Sequence, residues 1–186
     1  MPGRWGSYNQ NSQAFDQKGK DNVAQQSGAG FLLFVAAVVA GIYLTHDASL
    51  NQQAPAFSLP ETYGGRVDLE SYRGRPVLLV FWMTSCGICR RELPVVNQLA
   101  PELRSKGIAV VAVHLGGGDD VREYVRSNHI DITSLVDSEG AVGNAYHVSG
   151  VPKLVLIGND GKIKRTTSGM ADESVLREWM DVASGS

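Results

Sequence analysis

Two short unbroken apolar runs, "PVLLVFW" at 76–82 and "IAVVAVH" at 108–114, constrain this chain more than any other feature. Continuous runs of this length, rich in β-branched residues, fit strands buried on both faces, as in a parallel sheet. Between them, Leu93, Val96, Leu99 or Ala100, and Leu103 recur at spacings of three and four, which predicts a helix. Lys106-Gly107 supplies its stop. Further helices are predicted over Asp119–Ser127, Ala141–Tyr146 and Asp172–Val182. "KLVLIG" (153–158) and "KIKRTT" (162–167) flank "NDG", a strong hairpin signal. Strands that alternate with helices and end in a hairpin predict an α/β sheet.

The folded composition begins near Ala54, and three segments precede it. Residues 1–27 are rich in Gln, Asn, Ser and Gly without an apolar period, so a disordered leader is expected. "GAGFLLFVAAVVAGIYLT", 28–45, carries no charge and as a helix would reach roughly 27 Å, enough for a bilayer core. A buried core helix would show a polar face, and a cleaved signal would show an Ala-x-Ala site after a shorter leader. A single transmembrane anchor fits best. Arg4, Lys18 and Lys20 precede it, whereas no basic residue follows until Arg66. The expectation is therefore a cytoplasmic N-terminus, with everything after the anchor extracytoplasmic. Residues 46–53 read as a polar linker to a domain spanning 54–183.

The net charge of −2 and the scattered Lys and Arg residues give a nucleic-acid role nothing to rest on. Cys86 and Cys89, in "FWMTSCGICRRELP" (81–94), are the only two cysteines. A bridge across so short a loop removes little entropy from the unfolded chain, so stapling is a poor reason for the pair. Zinc would need His46, His114, His129 or His147, no two of which are three to five residues apart. Haem attachment would need His where Arg90 stands. Cys86 falls where a strand's carboxyl end meets a helix's amino end, the place where reactive groups collect in such sheets. Free N–H groups of the first turn favour a thiolate there. Cys89, one turn further, is within reach to form a disulfide and would resolve a mixed disulfide made by Cys86. Two inert core cysteines are the remaining alternative.

With these residues the chain resembles the membrane-anchored TlpA/ResA/CcmG group of thioredoxin-like thiol-disulfide oxidoreductases. "APAFSL" (54–59), "DLESYRGRPVLLVFW" (68–82) and "VSGVPKLVLIGNDGKI" (148–163) carry the likeness together with the cysteine segment. The resemblance implies a thioredoxin-like fold with an N-terminal hairpin and a central insert at about 119–136. It also implies a cis-proline at Pro152 facing the disulfide. Pro94 would kink the long helix. Glu92 lies on or near the face of the two cysteines, and in ResA-like members a glutamate there influences their proton transfers. The bland alternative is a solvated carboxylate paired with Arg90 or Arg91. Substrate contacts are implied for Trp82, Ser85, Gly87, Ile88, Val151 and Pro152.

Several positions depart from the family pattern. Ile88 replaces the usual Pro before the second cysteine, Ser85 replaces the Trp of thioredoxins, and Val80 replaces their buried Asp. Lys153 stands where Thr commonly follows the cis-proline; it could face the thiolate, and solvation is the simpler expectation. The resemblance implies reduction of protein disulfides such as those of apocytochrome c. Electrons would come from a membrane thiol-disulfide donor, and the Cys86–Cys89 pair itself would be the only redox group. Oxidation of the DsbA type, or a non-catalytic accessory role in a membrane complex, are the alternatives. A peroxidase would need Thr or Ser at Met83 and Pro at Leu79.

Overall fold

A computed structural model describes residues 33–35, 49–117 and 120–183. The expected leader and most of the expected anchor lie outside the described residues; Leu33–Val35 are helical and exposed. Among the described residues, no helix is long and apolar enough to cross a membrane.

The domain opens with a small antiparallel hairpin, β1 (Ser58–Pro60) and β2 (Arg66–Asp68), in which Leu59 faces Val67. A turn of 3-10 helix (Leu69–Tyr72) leads into β3 (Val77–Trp82), all six of whose residues are buried. The chain continues through α1 (Cys89–Ser105), β4 (Ala109–Leu115), α2 (Asp120–Ser127), β5 (Thr133–Asp137) and α3 (Ala141–Ala145). It ends with β6 (Lys153–Ile157), β7 (Ile163–Ser168) and α4 (Glu173–Ala183). The main sheet runs β5-β4-β3-β6-β7, with β3, β4 and β5 parallel and β6 and β7 antiparallel.

Alternation along β3 explains why both apolar runs are unbroken. Leu78, Val80 and Trp82 point to a core shared with Leu93, Val96 and Leu103 of α1 and with Leu176 and Met180 of α4. Val77, Leu79 and Phe81 point the other way, onto Phe57, Leu59, Val142 and Tyr146. Helix α1 ends as its sequence predicts. Gly107, at φ +80°, takes the left-handed position, and its N–H donates to the Arg104 carbonyl at 2.9 Å while Ile108 N–H reaches Leu103 at 3.0 Å. The predicted "NDG" turn joins β6 to β7, with Gly161 at φ +75°.

Two features go beyond the sequence expectations. The polar stretch before Ala54 is not wholly a linker: Asn51 N–H donates to the Ile163 carbonyl at 2.7 Å, and Ile163 N–H to the Gln52 carbonyl at 2.9 Å. Residues 51 and 52 are thus stitched to β7, and Gln53 to the turn before it, so the packed structure starts earlier than its apolar content suggests. The region of the central insert holds α2 and an unpredicted strand, β5, which pairs with β4 from Val111↔Thr133 to Leu115↔Asp137. Its outer edge is covered where the Thr62 N–H and hydroxyl both donate to the Ser134 carbonyl, at 2.9 and 2.8 Å.

Candidate active site

Chain direction places the cysteines. The strand β3 ends at Trp82, a turn follows through Met83–Ile88, and α1 begins at Cys89, slightly later than predicted. The Cys86 carbonyl already accepts the Arg90 N–H at 3.1 Å, and the Cys89 N–H donates to Cys86 Sγ at 3.2 Å. The sulfur therefore occupies the position of a helix cap, where free backbone donors stabilise negative charge. Cys86 and Cys89 form a disulfide, with their Cα atoms 5.3 Å apart. The two differ in access: Cys89 is 1% exposed, whereas Cys86 is only partly buried.

Across from the pair, the Val151–Pro152 peptide is cis. The Val151 carbonyl lies 3.6 Å from Cys86 Sγ, and the Pro152 carbonyl accepts the Gly169 N–H at 2.8 Å. Two residues on, the Ala171 N–H donates to Glu92 Oε1 at 2.6 Å. Glu92 is 1% exposed, and its Oε2 has no hydrogen-bond partner. Burial pushes its carboxyl from 4.5 up to about 7, opposed in part by the Ala171 bond. The solvated, Arg-paired alternative for this residue is thereby ruled out.

The other expected contact residues divide. Ser85, Gly87 and Ile88 are exposed, Ile88 at 43%, and Val151 is half-buried beside the sulfur. Pro152 is buried beneath them. Trp82 is wholly buried and cannot touch a substrate; its ring packs edge-on to His114 and tilted to Tyr124, each at 5.1 Å. Lys153 also departs from expectation, being neither solvated nor aimed at the thiols. It is buried, and its ammonium donates to the Tyr146 and His147 carbonyls at the end of α3, both at 3.1 Å. Val80 packs in the core.

Sequence reasoning considered His114 only as a metal ligand and passed over Thr84, Tyr124 and Asp120, which surround the redox turn. His114 Nε2 accepts the Thr84 N–H at 3.1 Å, and its Nδ1 stands 3.0 Å from the Gly116 carbonyl. A polar residue near the carboxyl end of an otherwise apolar strand, the end of such sheets where ligands gather, was the available signal. Pro94 has no N–H to offer the Arg90 carbonyl, and the Tyr124 hydroxyl donates to that oxygen at 3.2 Å. A cavity of about 560 Å³, lined by Tyr72, Arg73, Arg75 and Asp160 among others, lies at the opposite end of the strands. Thiol exchange needs an accessible sulfur rather than a cavity, so the functional site is assigned to the disulfide.

Comparison with known proteins bears on the family and the type of activity. The AhpC/TSA family profile matches residues 50–166. Thiol-disulfide oxidoreductase ResA of Bacillus subtilis is 31% identical over 147 residues, 78% of this chain and 80% of that protein. ResA of Geobacillus thermodenitrificans is 30% identical, covering 81% and 90%. A crystal structure from Chlorobium tepidum, described as a thiol:disulfide interchange protein DsbE, superposes with a TM-score of 0.66 at 31% identity. It covers 73% of this chain and 96% of that one. A thioredoxin-type solution structure from Neisseria meningitidis gives 0.64 at 35% identity, covering 70% and 88%. With the thioredoxin-like sheet and the Cys86–Cys89 pair, these matches make the chain a member of the AhpC/TSA family and a thiol-disulfide oxidoreductase of the ResA/DsbE type.

Proposed function

We propose that the protein is a membrane-tethered, extracytoplasmic reductase of protein disulfides, with Cys86 as attacking thiol, Cys89 as resolving thiol and Glu92 as the group that handles their protons. The observation that carries the division of labour is the unequal access of the sulfurs, together with the Cys89 N–H directed at Cys86 Sγ. The Cys86 thiolate attacks one sulfur of a substrate disulfide, forming a mixed disulfide and expelling the other sulfur as a thiolate that takes up a proton. Cys89 then attacks Cys86 Sγ, re-forms the Cys86–Cys89 bond and releases the second substrate thiol. Two electrons pass from the enzyme dithiol to the substrate, so the reaction itself calls for no other redox group. A carboxyl held at about 7 is close to half-ionised at neutral pH and is suited to accept the Cys89 proton.

The anchor and orientation rest on the uncharged run 28–45 and the basic residues before it. The thiol-disulfide exchange rests on the ResA relatives, and its reductive direction on the resemblance to proteins of cytochrome c maturation. Apocytochrome c is thus the proposed substrate and a membrane thiol-disulfide carrier the proposed donor. Cys89→Ser should leave substrates covalently trapped on Cys86, where mass spectrometry identifies them. Recovery of no trapped protein, or a reduction potential as oxidising as about −120 mV, would refute the reductase reading.

A further inference from the structure

His114 has no part in the exchange chemistry just described, yet it is tied to the turn that carries Cys86. It is 3% exposed at the end of β4, with its ring against Trp82. Because the Thr84 N–H can only donate, Nε2 must be its acceptor, at 3.1 Å. Nδ1 then carries the proton and donates to the Gly116 carbonyl at 3.0 Å, so the neutral imidazole has one tautomer and both nitrogens are used. Thr84 lies two residues before Cys86, and its hydroxyl bonds to the Asp120 carboxylate. That hydroxyl oxygen is also 3.3 Å from Nε2.

We infer that His114 is a positioning residue for the redox turn, its neutral ring holding the Thr84 N–H and its protonated ring releasing it. Protonation at Nε2 turns an acceptor into a donor. The Thr84 N–H then loses its partner, while Nε2–H is within reach of the Thr84 hydroxyl, which passes the interaction on to Asp120. The turn is held by its backbone in one state and by a side chain in the other. Around the ring stand Trp82 and Thr84 from β3 and its turn, Val136 in register on β5, and Asp120 from α2. Of these, only Asp120 carries charge. Burial lowers the proton affinity of His114, partly offset by the Gly116 carbonyl and Asp120, so the holding state prevails at neutral pH and the releasing state appears on acidification. The inference adds to the proposed role of Cys86 a reason for its fixed position.

The test uses the full chain. In the oxidised ¹⁵N-labelled protein, the Thr84 amide proton shift should follow the titration of the His114 ring, and in His114→Gln, whose amide oxygen reaches the site of Nε2, it should not. In the reduced protein, the alkylation rate of Cys86 by iodoacetamide, corrected for thiolate fraction, should fall about fivefold as His114 protonates, the counterpart of one ordinary hydrogen bond. His114→Ala should show the lower rate at every pH, and His114→Gln should recover most of the loss and lack the acid break. A Thr84 amide that ignores the imidazole titration, an acid break retained in the Gln variant, or a wild-type rate in the Ala variant at neutral pH would overturn the inference. The amide readout does not depend on which cysteine attacks, so it separates failure of this inference from failure of the Cys86 assignment.

Discussion

Replacing Glu92 with Gln keeps the side chain's shape and an acceptor for the Ala171 N–H while removing the charge. Burial raises the carboxyl from 4.5 to about 7. The folded chain therefore binds this proton more tightly than the unfolded chain does. The sign follows: the group's contribution is most favourable below about 4.5, declines as pH rises toward and through about 7, and levels off above that. Each tenfold gain in proton affinity is worth about 1.4 kcal/mol, so the whole decline amounts to roughly 3 kcal/mol. The assay is denaturant unfolding of the oxidised full chain, wild type and Glu92→Gln, at intervals from about pH 4.5 to about 8.5. The informative quantity is the wild-type stability minus that of the variant, because groups common to both, His114 included, cancel. That difference should fall by roughly 3 kcal/mol across the window. Parallel profiles would refute the reasoning. A difference that grows with pH would show that the carboxylate has a stabilising partner in place of the unpartnered Oε2.

Three other substitutions probe the frame of the site. Leu93→Ala, at a wholly buried position beside Glu92, should cost about 2–5 kcal/mol in denaturant unfolding; a loss under about 1 would mean that the core collapses readily onto the gap. Lys153→Met keeps the aliphatic stem but removes the donor from the Tyr146 and His147 carbonyls, and should lower stability by about 1–3 kcal/mol; an increase would show the buried ammonium to be a net burden. Gly143→Ala would bring a methyl group to 2.9 Å from the tip of the Leu115 side chain, which can turn away, while adding about 1 kcal/mol of helix propensity in α3. Stability read from the unfolding midpoint should therefore change by less than about 1 kcal/mol, and a larger loss would show Leu115 to be fixed in place.

Most of the sheet was legible because the buried strands carry it in composition. The run 76–82 has no polar residue, and β3 has no exposed one. The strand β5 was hidden by its polar members. Ser134 and Asp137 are buried, but the Ser134 hydroxyl donates to the Ile132 carbonyl at 3.1 Å, and Asp137 accepts the Gly143 N–H at 2.8 Å. Polar groups satisfied locally can sit in a core without an apolar signature. The cysteines were legible from spacing, and Glu92 from helical periodicity. Its burial was not, because the loop that covers it, Gly169–Ala171, is nearly eighty residues away in the chain. Trp82 was misjudged for a related reason. Adjacency to the motif suggested surface contact, whereas strand alternation directs its ring into the core. Lys153 was misread because its partners are backbone carbonyls, which leave no trace in the pattern of charges.

Pro94, the first of two prolines inside the redox helix, gives two distant segments a common dependency. Pro94 leaves the Arg90 carbonyl without its usual donor, and Tyr124, from a helix thirty residues away, supplies one. An alanine at 94 would give that oxygen an intrahelical N–H, and the tyrosine hydroxyl would become redundant. Substitutions at 94 and 124 should therefore not act additively, although one lies in the redox helix and the other in the region of the insert. The helix that starts at Cys89 and the region of the insert thus share one acceptor, and a change in either segment is felt by the other.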